Sequence, residues 1–380
     1  MVKTTNNNSP HPFRKAQASI HNAVDRRLHK KHYLQFDQSQ YDTIFHDGIM
    51  SVRHYQQLTD QQIRIEDRWI PVNPQQYARP LVLIPPLGVY SWIFDLMIER
   101  SLVRYLLAQG FDVYLIDWGS PKEKDAHLTL GNYVLNWFPQ ALQAIRQDSQ
   151  SEDISLMGYC MGGLLALIYL ATHNDQQVIN LVTIAAPVDA RQSGAPGKLS
   201  QITKAPITAL SKLTSFRLNK LHRRYFHIPG EWLSVAFKLS NPIGALSSYI
   251  QLLKHLDDEH YVSNYVTMHE WFTHMPDYPG GMVRDMIQKF GLHNDLARDR
   301  LIIDGAQANF ERVKCSLLAL AGDHDKIVSV ESARAILDLI TSTDKTFTVV
   351  PGGHAGIFAG SHAANHCWAI ASQWLAQRSS

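Results

Sequence analysis

A doubly wound α/β sheet is the fold class this chain predicts, and three observations predict it. Short apolar or β-branched runs recur along the chain, helical patterns separate most of them, and a Gly-rich turn joins one run to the helix after it. Unbroken apolar runs mark strands buried on both faces, as in a parallel sheet covered by helices. In order they are PLVLIPP from Pro80, FDVYLIDW from Phe111, ISLMGYC from Ile154, VINLVTIAAP from Val178, SLLALAG from Ser316 and TFTVVPGG from Thr346. The intervening helical patterns are SLVRYLLAQG, which ends on a glycine cap, YVLNWFPQALQAIRQ, MGGLLALIYLATH and VESARAILDLITS. Strand, helix, strand in repetition gives a mostly parallel sheet with helices on both faces.

The repetition sets the domain boundaries. Residues 1–45 are polar, rich in Gln, Asn and His, and are expected to be partly helical or loose. Residues 46–187 and 305–380 carry the sheet. Between them, residues 188–304 lack the strand pattern and read as short helices such as SSYIQLLKHL and VRDMIQKF, a mainly helical cap inserted between the fourth and fifth predicted strands.

Composition narrows the function. With 380 residues, 45% hydrophobic and 18% charged, the chain has ample material for a large core, which excludes a disordered or fibrous protein. A net charge of +2 gives no reason to expect nucleic acid as a partner. Three widely spaced cysteines, Cys160, Cys315 and Cys367, form no disulfide framework and fit a reducing cytoplasm. The N-terminus has no apolar stretch of the secretory kind. Ile154 to His173 is long and uncharged enough to imitate a membrane span, yet its three glycines and its mid-course change of periodicity fit a buried strand followed by a buried helix. A soluble protein with no transmembrane segment is expected.

The chemistry centres on GYCMGG, Gly158 to Gly163. Its G-x-C-x-G frame has the spacing of the nucleophile elbow of α/β-hydrolases, a sharp strand-to-helix turn that exposes one side chain. In that fold the acid and then the histidine follow the nucleophile along the chain. Asp325 follows SLLALAG within a G-x-x-D-x-x-V turn formed by Gly322, Asp325 and Val328, and His354 follows TFTVVPGG within PGGHAGI. Each stands just past the C-terminal end of a predicted strand, where such sheets bind ligands. Asp323 competes for the acid role, but the turn spacing favours Asp325. Among 19 histidines, only His354 combines a strand end with flanking glycines, which sets it apart from His324 and His362.

Roles follow from these residue types. His354 would take the proton of the Cys160 thiol, because the thiolate is the nucleophile. Asp325 would hold the imidazole in the useful tautomer and stabilise its charged form. The N-terminal end of the helix that starts at Met161 favours negative charge on Cys160. An oxyanion hole is expected from the backbone N–H of Met161 together with that of Leu87 or Gly88 in PPLGVYSW. No Cys or His spacing suggests a metal, and none is expected.

A cysteine at this turn forms a thioester where serine would form an ester. With a substrate that is itself a thioester, such as an acyl-CoA, acyl transfer to Cys160 exchanges like for like and leaves the acyl group activated for an alcohol. Water must then be excluded, a task for the cap. Acyl transfer is therefore favoured. A thiol hydrolase cleaving an ester, a thioester or a polyester stays open as an alternative, as does a non-catalytic protein on the same fold whose triad is idle.

The segments RPLVLIPPL, QGFDVYLIDWGSP, LTLGNYV, GYCMGG, NLVTIAAPVD, PGEWLS, HLDDEHYVSNYVTMHEWF, GDHDKIV and PGGHAGI together resemble the polyhydroxyalkanoate synthases, in particular the catalytic subunit of the two-component class III and IV types. The likeness runs from about Arg79 to the end and includes the cap. It implies an acyltransferase that polymerises (R)-3-hydroxyacyl-CoA, chiefly 3-hydroxybutyryl-CoA, and releases CoA. Cys160 is then the nucleophile, His354 the base and Asp325 the acid, the last also helping to activate the incoming hydroxyl. The resemblance further implies a second, smaller subunit, a homodimer or hetero-oligomer, and work at the surface of cytoplasmic polyester granules. No cofactor is implied, since the CoA thioester is the substrate. Lys326, Ser329 and Val89 depart from the family pattern, which often has His, Pro and Asn there.

From Ala190 to Gly230 there is no acidic residue, while Arg191, Lys198, Lys204, Lys212, Arg217, Lys220, Arg223 and Arg224 are basic. Arg223 and Arg224 are candidate substrate-binding residues that would draw CoA phosphates to the entrance by electrostatic steering. A solvated basic face, or a site for the partner subunit, is the competing reading.

Overall fold

The computed structural model describes residues 12–194, 197, 221–240 and 242–379. Eight strands make the main sheet: β1 (Tyr41–Asp47), β2 (Met50–Tyr55), β3 (Leu81–Ile84), β4 (Val113–Asp117), β5 (Ile154–Tyr159), β6 (Val178–Ile184), β7 (Ser316–Gly322) and β8 (Lys345–Val350). Their order across the sheet is β1-β2-β4-β3-β5-β6-β7-β8. Strands β3 to β8 run parallel to one another, while β1 pairs antiparallel with β2, and β2 antiparallel with β4. All six strands read from the sequence are therefore present in one parallel sheet.

The antiparallel edge was not foreseen. β1 begins at Tyr41, inside the segment read as partly helical or loose, so the sheet starts a few residues before position 46. Upstream of it, that segment holds a helix, α1 (Pro12–Leu28). Polar residues such as the exposed Asp42 and His46 and the inward-facing Arg53 break the apolar–polar alternation by which an edge hairpin is recognised. Arg53 is nonetheless buried, because it is paired: its guanidinium donates to Asp37 at 2.7 Å and to Asp117 at 2.6 Å. Buried charges survive on such terms.

Helices cover both faces. On one, α3 (Phe138–Ser149) and α4 (Met161–His173) bury Phe138, Leu142, Ile145, Leu165 and Ile168 against Val82, Ile84 and Leu156. On the other, α2 (Leu102–Ala108) and the C-terminal helix Ala369–Ala376 pack on Leu83, Leu115 and Leu320. The apolar stretch Ile154 to His173 is β5 followed by α4, buried throughout except Cys160, Thr172 and His173. No helix among the described residues is long and apolar enough to cross a membrane.

The described part of the insertion is mainly helical: α5 (Gly230–Ser240), α6 (Pro242–Lys254), α7 (Glu259–Thr273) and the short α8 (Gly280–Asp285). α7 faces two ways. Trp271, with Met268 and Phe272, packs into the core cluster that also borders Cys160. Its other side meets the N-terminal arm, where the Ser263 and Thr267 hydroxyls donate to the Tyr33 carbonyl at 2.7 and 3.1 Å, and Tyr33, Leu252, Val262 and Val266 form a small separate apolar cluster.

Candidate active site

The elbow is built by close approach of glycine backbones. A Cβ on Gly158 would overlap Gly163 across the turn, and one on Gly162 would overlap the Ile84 carbonyl of β3. These contacts pull α4 tightly against β5 and leave Cys160 between them at φ 51°, ψ −119°. Such a conformation costs a non-glycine residue about 1–3 kcal/mol and persists only where the surroundings impose it. Here the Cys160 N–H is also tied to the Ile184 carbonyl at 2.7 Å. Met161 opens α4, so its N–H has no acceptor within the helix.

The acid turn has a physical reading. The Asp325 Oδ1 accepts the N–H groups of Ile327 at 2.8 Å and Val328 at 2.9 Å, closing the turn, while buried Val328 anchors it in the core. Oδ2 faces the other way and meets His354 Nδ1 at 2.7 Å. The Asp325 side chain is fully buried and that of His354 is 11% exposed. The competitor Asp323 is exposed and engaged elsewhere, accepting from the Gly352 N–H at 2.8 Å and pairing with His324 at 2.6 Å. These bonds hold its carboxyl below the usual range, the Gly352 N–H first among them, and they join the loops after β7 and β8. His362 is not part of this constellation.

His354 opens a short helix, His354–Ala359, after β8. The Tyr159 hydroxyl, from the residue preceding Cys160, donates to the His354 carbonyl at 3.0 Å, and the Tyr159 ring lies 5.2 Å from the imidazole. Burial works against the imidazolium. The negative charge Cys160 carries as a thiolate, with side-chain hydrogen bonds to Asp325 and Cys160, outweighs it, and the imidazole is pushed up to about 10. Cys160, His354 and Asp325 converge at the C-terminal edge of the sheet, an arrangement in which an imidazole backed by a carboxylate can take the proton of a thiol.

Leu87 and Gly88 form the turn after β3, with Leu87 buried. The indole N–H of Trp118, from the IDWG segment, donates to the Pro85 carbonyl at 2.9 Å and fixes the approach to that turn. Over Gly88 stands Tyr278 of the cap: a Cβ at position 88 would meet its ring at 2.9 Å and its hydroxyl at 3.4 Å. Burial first, and the charge of Cys160 second, raise the Tyr278 phenol well above its ordinary range. Sequence reading missed Tyr278, because it reaches the site through a tertiary bridge to Ile228, with N–H···O distances of 2.8 and 3.1 Å.

Of the departures, Ser329 caps the helix Val330–Arg334, accepting from the Ser332 N–H at 3.1 Å and donating to the Gln192 carbonyl at 2.7 Å. Lys326 is exposed, and Val89 packs in the cluster bordering Cys160. Arg223 and Arg224 lie in a turn of the cap, where Arg223 Nη1 donates to the His127 carbonyl at 2.8 Å. Lys198, Lys204, Lys212, Arg217 and Lys220 lie outside the described residues.

Residues 97–358 match the family described as Serine aminopeptidase, S33. Among solved structures, a soluble variant of monoglyceride lipase from Saccharomyces cerevisiae shares the fold, with a TM-score of 0.51 and 14% identity over 90% of this chain and 95% of that one. Two curated relatives are closer in sequence. The poly(3-hydroxyalkanoate) polymerase subunit PhaC of Allochromatium vinosum is 30% identical over 307 residues, 80% of this chain and 82% of the relative. That of Haloferax mediterranei is 29% identical over 339 residues, 89% of this chain, which spans 64% of that protein's length. The matches extend through core and cap alike, and the chain belongs to the poly(3-hydroxyalkanoate) polymerase family, acyltransferases built on the α/β-hydrolase fold.

Proposed function

We propose that this protein polymerises (R)-3-hydroxyacyl-CoA, 3-hydroxybutyryl-CoA in the first instance, through a covalent thioester on Cys160. The observation that carries this is a cysteine in a strained elbow facing a buried His354–Asp325 pair at 2.7 Å, in a chain whose relatives are named as polymerases. The Cys160 sulfur attacks the thioester carbonyl. The oxyanion is held by the N–H of Met161 and that of Leu87 or Gly88, each such donor being worth about 3 kcal/mol. The C–S bond to CoA breaks, and His354 returns its proton to the departing CoA sulfur. The hydroxyl of a second monomer or chain end then attacks the enzyme thioester, His354 takes its proton, and the ester bond forms as the acyl C–S bond to Cys160 breaks and the sulfur leaves as the thiolate.

Asp325 acts through His354 in this scheme. Its two oxygens are committed to the imidazole and to two backbone N–H groups, which favours positioning over direct contact with the monomer hydroxyl. Met268, Trp271 and Phe272 of the cap join the same apolar cluster that Cys160 packs against, which suits a thioester that must reach an alcohol before water does. A thioester is already activated, so the reaction needs neither metal nor cofactor. In keeping with the family resemblance, the reading includes a smaller second subunit, an oligomeric assembly and work at the surface of polyester granules in the cytoplasm.

Incubation with 3-hydroxybutyryl-CoA tests the reading, with CoA release and insoluble polymer measured with and without a candidate second subunit. Polymer that accumulates with CoA release, several-fold faster with the subunit, is the expected result. Stoichiometric free 3-hydroxy acid without polymer would make the protein a thiol hydrolase instead. No CoA release under either condition would leave the family's reaction unsupported.

A further inference from the structure

Two short segments of the cap are clasped together, and the clasp aims one side chain at the candidate site. The segments are His-Ile-Pro-Gly at 227–230 and Asp-Tyr-Pro-Gly at 277–280. They run antiparallel, with Ile228 and Tyr278 exchanging both backbone hydrogen bonds. Asp277 straps the pair: its Oδ1 accepts the Gly230 N–H at 2.9 Å, and its Oδ2 meets His227 Nε2 at 3.1 Å. Both glycines lie where no side chain fits. A Cβ on Gly230 would overlap the Met275 carbonyl, and one on Gly280 would overlap the Arg223 carbonyl. A proline fixes φ just before each of these contacts. The backbone that carries Tyr278 is thus pinned on both sides.

The Tyr278 hydroxyl is left for something other than protein. It stands beside Gly88, 3.4 Å from where a Cβ on that residue would lie, and so next to the turn expected to supply an oxyanion N–H. Among the described residues, no group hydrogen-bonds to it. Tyr159, the other tyrosine close to Cys160, differs: its hydroxyl is already committed to the His354 carbonyl. A phenol sunk this far into a protein ordinarily has a partner, and at the rim of this turn the substrate is the group within reach. Burial, and then the charge of Cys160, keep the Tyr278 phenol protonated, so it acts there as a donor.

We propose that the Tyr278 hydroxyl is a third oxyanion donor, supplied by the cap, which hydrogen-bonds to the thioester carbonyl oxygen as Cys160 attacks; this rests on the acyl-transfer reading above. The proton stays on the phenol throughout. The carbonyl oxygen gains negative charge as the bond from sulfur forms, and loses it as the bond to the departing group breaks. Asp277 is a positioning residue that acts through Tyr278. On this account the cap takes part in transition-state binding as well as in excluding water.

Tyr278→Phe tests it, because that change keeps the ring and removes only the hydroxyl. With 3-hydroxybutyryl-CoA, kcat is expected to fall about 10²-fold, the scale for one oxyanion donor. KM should barely move, since an interaction made only in the transition state lowers kcat and kcat/KM together. A CoA thioether carrying a trifluoromethyl ketone gives a second readout, because its ketone forms a tetrahedral adduct with the Cys160 thiolate. Its inhibition constant should rise in Tyr278→Phe by the factor that kcat/KM falls. Asp277→Ala should also lower kcat, yet add little in the Tyr278→Phe background, as expected of a residue that works through the hydroxyl. Parental kcat in Tyr278→Phe, or a raised KM alone, would overturn the donor role and leave the ring as a wall. Losses that multiply in full in the double variant would overturn the positioning role of Asp277. Absence of CoA release from the unaltered protein would instead sink the acyltransfer reading on which both roles depend.

Discussion

The sheet and the N-terminal arm of this protein are held by opposite means. Strands β3 and β5 are buried at every residue, and clusters on both sheet faces seal them with aliphatic and aromatic side chains. The seam between the arm and the cap has four buried apolar residues and is otherwise fastened by hydroxyl and amide hydrogen bonds and by ion pairs of Lys30 with Glu270 and of Lys15 with Asp257. Net hydrogen bonds contribute about 1 kcal/mol each, whereas one fully buried aliphatic side chain contributes about 1.5–3 kcal/mol. The difference bears on the candidate triad. Cys160 and Asp325 follow the buried strands β5 and β7, and His354 follows β8, an edge strand that, unlike the buried strand expected from its sequence, buries only Val350. All three stand on the sheet, so their geometry does not depend on the weaker seam.

The sharpest way to break that division is at the triad itself. Cys160→Ala is expected to abolish polymer formation, and Asp325→Asn to lower kcat by roughly 10⁴-fold, the scale seen when a triad imidazole loses its orienting carboxylate. Both proteins should keep the parental circular dichroism and melting temperature within a few degrees. Retained turnover in the alanine variant would remove covalent catalysis by Cys160.

Packing defects come next. Leu156→Ala in the middle of β5 is expected to cost about 2–5 kcal/mol, read as a lower denaturant midpoint with an unchanged slope. Val262→Ala, in the small cluster under the arm, should cost less. Equal losses at the two sites would mean that the arm and α7 belong to the same cooperative unit as the sheet.

The pH response follows from His354. Its folded value, about 10, lies above the unfolded value of about 6.5. The stabilisation it contributes is therefore fully present below pH 6.5 and is lost as pH rises through about 10. Cys160→Ala removes the leading influence that raises it, so the imidazole followed by NMR should titrate at lower pH in that variant. An unshifted titration would assign the effect to Asp325 alone.

What was legible in the sequence follows the same division. Buried parallel strands write themselves as unbroken apolar runs, and Ile154–Tyr159 and Ser316–Gly322 were visible as such. The elbow, Asp325 and His354 were legible because fixed spacings at strand ends carry their geometry. The edge strand β1 and its neighbour β2 were not, because burial there depends on Arg53 finding Asp37 and Asp117 from other parts of the chain. Nor was Tyr278, whose place over Gly88 is set by one backbone bridge to Ile228 and by no local periodicity. Short apolar spacing reports local structure. Polar long-range contacts leave almost no such trace.

The smallest expected effect bears on the seam. Thr267→Val removes a hydroxyl that donates to the Tyr33 carbonyl and accepts the Gln35 N–H, while keeping the side chain's shape. Two buried hydrogen bonds are lost, yet Ser263 still donates to the same carbonyl, so a penalty of about 1 kcal/mol is expected. It should be confined to the arm, as faster amide exchange at Gln35 and its neighbours with unchanged protection in β3 and β5, because a region held by few apolar contacts opens locally before the core does. If protection in β5 falls by the same factor, the arm is a structural part of the core fold. The contrast between a tightly packed sheet that carries the candidate triad and a polar, separately fastened arm would then not hold.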